Sequence, residues 1–416
     1  MVKSRPILIT ATVVGCLALS IPAVAVAGGP ISAKSISATV KVPAEWSNLA
    51  PGLVSVPEST ASMLADEEAN APITELGNEI AFAAGTHEDF AFAYVENNGF
   101  VVGFAGEVPG DVAGALKSAG NVRFIENVGY TDDDLEATDT VLAEAIAAKV
   151  PEAASVGAGF QQATKQLQIS VALNEETKDP EELKSRIAAV VAGIPTFGYV
   201  VDITMGVAKE GAVDFQGYGQ AGGTGLQGAS GFCTSSFVAR NPSSGALGVF
   251  TAAHCENTLQ QGGANPFTFI NYQPEHFGLN GDVQFMHSPV MMDAWFHASH
   301  GVGRPVLGVR NAYGGETVYK YGVVTNQTSG PVNHDNYSLT VVSPLTGSST
   351  TLGGLTRVTS SMASSDGDSG GPLFGGNTAM GLLVGRQALG NYVLFTKISN
   401  AQLATGAITC MDPVCS

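Results

Sequence analysis

Positive charge is scarce in this chain. Its 416 residues carry 19 Lys and Arg against 37 Asp and Glu, a formal net charge of −18. Binding nucleic acid requires a basic patch to neutralise phosphates, so that class of function is excluded. Long apolar runs are also missing, except at the start. There Lys3 and Arg5 precede "ILITATVVGCLALS", and "AVAVAGG" supplies the small residues for cleavage after Ala27. Residues 1–27 are therefore expected to be a secretory signal peptide. Cys16, inside that run, does not read as a lipid-attachment cysteine, because the chain stays apolar beyond it. No later stretch reaches the roughly 20 apolar residues of a spanning helix. The expected product is secreted, extracellular and free of the membrane once the signal is removed.

Cysteine is sparse as well, and four of the 5 follow the signal: Cys233, Cys255, Cys410 and Cys415. None has CxxC spacing, and the HxxH pair His297 and His300 lacks a third ligand, so a metal site is not expected. An even count in an exported chain argues for disulfides, of which the simplest set joins neighbours. Three pairings remain open.

The remaining charge is distributed unevenly. Residues 30–212 hold 27 acids and 10 bases, whereas residues 213–416 hold 10 acids and 7 bases. Two units follow: an acidic module at 28–212 and a nearly neutral one at 232–416. Between them residues 213–231, including "GYGQAGGTGLQGASG", are expected to form a glycine-rich linker or processing region.

Within the acidic module, residues 30–80 are weakly patterned and expected to be partly disordered. Beyond them "FAFAYVENNGFVVGFAG" predicts a hairpin across Asn97-Asn98-Gly99, followed by a helix at "DVAGALKSAG" and a strand at "NVRFIENVGY". "KQLQISVAL" predicts a strand, "DPEELKSRIAAVVAGI" a helix opened by Asp179 and Pro180, and "FGYVVDITMGVA" a final strand. This makes two small α/β subdomains, with "TDDDLEATD" a solvated helix start rather than a calcium loop. After residue 231 the texture changes to short β-type runs divided by Gly, Pro, Asn and Ser, which predicts an all-β sandwich or barrel. A single helix is expected at "ISNAQLATG".

Chemistry concentrates in "SSDGDSGGPLF", residues 364–374. The stretch is too rich in glycine for a strand or helix interior and reads as a tight loop with exposed backbone N–H groups. Ser369 in such a loop is a candidate nucleophile, with the amides of Gly367 and Ser369 as donors to a developing oxyanion. A nucleophile needs a base. His254, in "GVFTAAHC", ends a strand beside Cys255 and is the histidine best placed to be held still.

"TAAHC" at 251–255 and "GDSGGP" at 367–372, in that order, resemble the chymotrypsin-like serine endopeptidases, in particular the secreted bacterial branch of alpha-lytic protease and the streptogrisins. The resemblance spans roughly residues 220–410 and implies two antiparallel Greek-key barrels of trypsin-like fold. It implies His254 as general base, Ser369 as nucleophile, Gly367 and Ser369 as oxyanion hole and a Cys233–Cys255 disulfide. In position and pattern the acidic module looks like the branch's pro-regions. The family's third member is a carboxylate a few tens of residues after the histidine, which "LNGDVQF" supplies as Asp282. Asp293 and Asp335 are the competitors. Alternation in "DVQF" favours Asp282, since a strand end there delivers its carboxylate inward.

The resemblance also bears on specificity. Trypsin-like members that read Lys or Arg place an Asp six positions before the nucleophile, where this chain has Ala363. "LLVGRQ" resembles the strand that pairs with substrate backbone, so Ala363, Ser364, Val384 and Arg386 are expected to bind substrate. Arg386 either enters the pocket and prefers acidic side chains or lies on the surface; the default is a neutral, medium-sized apolar side chain. Asp368 needs a buried partner, and "VYKYG" presents Lys320 where the bacterial branch carries a basic side chain.

The expected function is thus a secreted serine endopeptidase made as a pre-pro-protein. It acts as a monomer on protein or peptide substrates, without cofactor or metal, and its intramolecular partner is the pro-region. A non-catalytic binding protein on the same scaffold is the other class, which a lost triad member would favour. None is lost.

Overall fold

In the computed structural model of the chain, the described residues are 58–117, 119, 121–175, 179–207, 213–214, 225–229, 231–261, 267–271, 275–289, 292–299, 302–387 and 389–412. The signal peptide, most of the glycine-rich stretch, His300 and Cys415 lie outside them. All described residues belong to one of the two units of the chain, Val42–Ser416.

The hairpin of the acidic module forms as its turn chemistry requires. Strands Phe90–Glu96 and Gly99–Phe104 are joined through Asn97 and Asn98, both with positive φ (50° and 57°), the combination that matches strand twist in a two-residue turn. Helix Gly110–Leu116 then returns the chain to strand Val122–Ile125, which adds parallel to Gly99–Phe104. The second subdomain repeats the plan. Strand Gln166–Leu173 leads to helix Pro180–Val191, whose Asp179 cap accepts from the Glu182 N–H at 2.9 Å, and then to the parallel strand Val200–Val207.

Three expectations are refined. Residues 58–83 form a helix that runs through Pro72, so the stretch 30–80 expected to be partly disordered is helical from residue 58, while residues 30–57 lie outside those described. Its periodicity is weak because it is ordered by tertiary contacts: Leu76 and Ile80 are buried in the first subdomain. Strand Ala153–Gln161, absent from the sequence reading, pairs with Gln166–Leu173; its Ala and Gly content conceals it. Glycine is needed there for close approach, since a Cβ on Gly159 would lie 2.7 Å from ring carbons of both His334 and Tyr337. Finally, Gly225–Gln227 in the glycine-rich stretch is a strand, paired with Phe232–Thr234 and Thr258–Gln261.

The rest is β-structure in two barrels. The first is built from Gly225–Gln227, Phe232–Thr234, Val238–Arg240, Leu247–Thr251, Thr258–Gln261, Phe267–Asn271 and Gly281–His287. In the second, strands Thr317–Gly322, Pro372–Gly375, Thr378–Gln387, Val393–Lys397, Ser349–Val358 and Asn326–Val342 follow one another, and the last pairs back onto the first. That pairing closes the barrel, while parts of Asn326–Val342 and Thr378–Gln387 stay open to further strands. Helix Ile398–Thr405 follows where the sequence places it.

The acidic module is continuous with the second barrel. Strand Ala153–Gln161 pairs antiparallel with Asn326–Val342, from Ser338 opposite Ala158 to Val341 opposite Ser155. Helix Glu58–Ala83 adds a buried fork in which both Glu67 oxygens receive Arg304, one at 2.9 Å. Helix Asp132–Lys149 adds Glu136, whose carboxylate lies 3.1 Å from Lys397 Nζ. "TDDDLEATD" is accordingly only partly a solvated start: Asp133 and Asp134 are exposed, whereas Asp139 is fully buried.

Candidate active site

Three side chains from three separate segments meet between the barrels. His254 follows the first-barrel strand Leu247–Thr251, and Asp282 opens Gly281–His287. His254 Nδ1 is 2.5 Å from Asp282 Oδ2, and its Nε2 is 2.9 Å from Ser369 Oγ. The other Asp282 oxygen accepts the His254 backbone N–H at 3.1 Å. Asp282 and Ser369 are fully buried. A carboxylate that binds both the ring and the backbone of one histidine fixes its tautomer as well as its position. Asp293 is exposed on another segment, and Asp335 lies at the boundary with the acidic module. Neither approaches the imidazole.

The disulfide Cys233–Cys255 closes directly behind the histidine. Cys410 is also disulfide-bonded, but its expected partner Cys415 lies outside the described residues. No group of His, Cys, Asp or Glu suited to hold a metal ion occurs among the described residues.

The loop before Ser369 is held from behind. Gly367 has φ of +94°, a conformation that side chains rarely tolerate. Among the described residues, the N–H groups of Gly367 and Ser369 make no hydrogen bond within the chain, whereas those of Asp368, Gly370 and Gly371 are all engaged. Two uncommitted donors flank the nucleophile, as oxyanion stabilisation requires. Asp368 points the other way, into the second barrel. Its Oδ2 is 3.0 Å from Lys320 Nζ, with both side chains fully excluded from solvent. It also accepts from the N–H groups of Val324 at 2.9 Å and Ser365 at 3.1 Å, and from Thr325 Oγ1 at 2.5 Å. Burial pushes the Lys320 ammonium below the usual lysine range; Asp368 opposes this, and the nearby charge of Arg386 adds to it.

The four expected substrate residues divide. Val384 is fully buried in a cluster with Tyr337, Leu352 and Leu394, so its side chain serves the core and only its backbone is available. A register irregularity between Leu383 and Gly385 interrupts the strand's alternation. Two residues on, Arg386 is half-buried and turned inward, its Nη2 donating to Ser364 O at 2.9 Å and lying 3.4 Å from Ser364 Oγ. Ala363 is exposed, and its carbonyl accepts from Thr328 Oγ1 at 2.8 Å. Along the same strand edge, Val213 and Asp214, which directly follow the acidic module, pair antiparallel, with Asp214 opposite Arg386.

Two supports escape sequence reasoning. Thr396 Oγ1 accepts the Asp282 N–H at 2.9 Å and donates to the Asp282 carbonyl at 3.1 Å. Thr325 clamps Asp368 through both its N–H and its hydroxyl. Both act across the fold from strand and turn positions with no motif around them, so nothing local marks them.

No family model matches the chain. Serine protease 2 of Streptomyces fradiae is 31% identical over 175 residues, which cover 40% of this chain and 93% of that protein. Among solved structures, protease A of Thermobifida fusca is 24% identical, covering 46% of this chain and 97% of its own at a TM-score of 0.38. A chymotrypsin of Cellulomonas bogoriensis is 25% identical, with coverages of 46% and 97% and a TM-score of 0.37. With a relative of that identity aligned over nearly its whole length, the chain belongs to the bacterial chymotrypsin-like serine endopeptidases.

Proposed function

We propose that the chain is a secreted endopeptidase made as a pre-pro-protein, with His254, Asp282 and Ser369 as its catalytic residues. The observation that carries this is the unbroken relay from Asp282 Oδ2 through the His254 ring to Ser369 Oγ, at 2.5 and 2.9 Å. His254 Nε2 takes the proton of the Ser369 hydroxyl as Oγ attacks the scissile carbonyl, and Asp282 holds the other ring nitrogen protonated and balances the imidazolium. The oxyanion is received by the N–H groups of Gly367 and Ser369. His254 passes its proton to the departing amine, leaving an acyl-enzyme on Ser369. Water, deprotonated by the same histidine, then releases the acid product. Substrates are proteins or peptides, bound in extended form along Thr378–Gln387.

Residues 28–212 act as a pro-region. Its extension of the second barrel's sheet supports a role as folding template, and the pairing of Val213–Asp214 along Thr378–Gln387 supports latency by occupation of the edge that substrate needs. Processing lies between residues 212 and 224. Lys320 fixes Asp368 without help from a new N-terminus, so the oxyanion loop is complete before processing. A fluorophosphonate probe tests the reading: Ser369 is labelled in the processed enzyme, and Ser369→Ala abolishes labelling. An unlabelled wild-type chain that is folded and processed would refute it.

A further inference from the structure

Among the described side chains, no carboxylate is paired with the Arg386 cation. Its guanidinium donates to Ser364 O at 2.9 Å, its Nε is buried with no hydrogen-bond partner, and among the residues whose side chains are described it forms no ion pair with a carboxylate. The neighbouring cation Lys320 differs in this respect, being compensated by Asp368. A half-buried charge whose N–H is left unpaired is unfavourable unless a ligand completes it. What an arginine fork accepts best is a carboxylate, held by two parallel charge-assisted hydrogen bonds.

Its location says which carboxylate. Arg386 reaches the backbone of Ser364, five residues before the nucleophile, in the segment that leads into the oxyanion loop. A side chain on the residue whose carbonyl Ser369 attacks must lie beside that segment. Ala363, next to Ser364, contributes no negative charge of its own that would favour a basic substrate. An extended chain is compatible with the same edge: Val213–Asp214 pairs along it, with an acidic residue in register opposite Arg386.

Resting on the serine endopeptidase reading above, we propose that Arg386 determines specificity, selecting substrates with Glu or Asp at the residue whose carbonyl Ser369 attacks. The default of a neutral apolar side chain is thereby replaced. Recognition is by a permanent cation, so it depends on the ionisation of the substrate and not of the enzyme.

The test uses the full chain, allowed to process, and a set of peptide amides alike except for Glu, Asp, Gln, Leu, Ala or Lys before a fluorogenic leaving group. The expected kcat/KM for Glu exceeds that for isosteric Gln by about 10–100-fold, the range of a charge-assisted hydrogen-bonded pair. Arg386→Gln brings the two together while Ser369 still reacts with fluorophosphonate, and Arg386→Lys keeps part of the preference. Should Arg386→Gln fail to fold, the wild-type pH profile decides. The Glu-to-Gln ratio stays constant from pH 5 to 8 and falls only toward the ordinary glutamate range, about 4.3; a ratio that falls above pH 6 would assign recognition to a histidine and overturn the proposal. Labelled enzyme that cleaves Gln as well as Glu, or Ala best of all, overturns the proposal and leaves the peptidase intact. Enzyme that neither labels nor cleaves any member of the set overturns the peptidase reading and this inference with it.

Discussion

Lys320 Nζ stands 3.0 Å from Asp368 Oδ2, and neither side chain has exposed surface. Removing one partner of a buried pair leaves an uncompensated charge, typically at about 3–5 kcal/mol. Here the stranded group is the residue before the nucleophile. Lys320→Met is therefore expected to cut the rate of fluorophosphonate labelling and turnover together by at least about 10²-fold, as oxyanion donors lose their aim. Lys320→Arg should retain most activity, and adding Asp368→Asn to Lys320→Met should recover thermal stability. Full activity in Lys320→Met, or activity that changes sharply with the N-terminal residue left by processing, would refute the pair's role.

In the proposed mechanism His254 and Ser369 act on one proton, so their losses should not add. Each alanine variant is expected to remove nearly all turnover, and the double variant little more. Asp282→Asn should lower kcat by about 10⁴ by presenting the wrong imidazole tautomer to Ser369. Asp293→Asn, at an exposed position, should be neutral. Steady-state kinetics on the four variants decides the assignment; additive losses, or a large effect at Asp293, would reject it.

The pairing of Ala153–Gln161 with Asn326–Val342 makes the acidic module part of the second barrel's sheet, which on the proposed pro-region reading gives the folding protease a template. Barrels built from non-local pairings fold slowly, and a preformed edge lowers the entropy of joining them. Refolding residues 220–416 is expected to yield active enzyme only when residues 30–212 are supplied in trans. Gly159→Val, whose Cβ would press on His334 and Tyr337, should reduce that yield severely without altering kcat per labelled Ser369. Equal yields with and without the module would make it a separate binding domain.

The site was more legible in the sequence than the scaffold of the module. "TAAHC" and "GDSGGP" are local because an oxyanion loop and a braced histidine each need several residues of fixed backbone, and Asp282 is marked by its strand. Asn97-Asn98 fixes its hairpin for the same reason. What stays hidden is settled by distant partners. Helix Glu58–Ala83 carries a proline and weak periodicity, and depends on Arg304 and on the first subdomain. The resemblance marks the strand around Val384 as one that pairs with substrate backbone, but nothing local shows that the Val384 side chain itself is packed against Tyr337, Leu352 and Leu394. Nothing in "TDDDLEATD" shows that Asp139 will be buried.

That burial leads to the last prediction. Helix Asp132–Lys149 presents Asp132, Glu136 and Asp139 to the second barrel, where Asp335, Asn336, Asn400 and Lys397 face them. Arg310 and Tyr313 join Asp132, Asp335 and Lys397 around a cavity of about 310 Å³. One lysine thus faces four carboxylates. Burial pushes Asp132 up to about 7 and Asp139 well above the usual carboxylate range, and raises Asp335. Glu136 alone is lowered, by Lys397. Both Asp139 oxygens are buried without a hydrogen-bond partner. Groups raised in the folded state stabilise it fully below their ordinary range near 4, and that contribution is lost as pH rises through the raised values. Glu136 has the opposite sign, but its change falls below about pH 4.5. His334 is held neutral, its ionisation suppressed by burial and by Arg357; its contribution declines only below about 6.5. Between pH 6.5 and 8 the aspartates therefore dominate, and the union of the acidic module and the second barrel should weaken as the medium becomes more alkaline. Thermal unfolding of the full-length Ser369→Ala chain should show a midpoint that falls across this window. With Asp139→Asn added, which removes the charge at nearly constant volume, the midpoint should be higher at pH 8 and the dependence shallower. Parallel pH profiles for the two chains would show that this cluster does not govern the stability of the union.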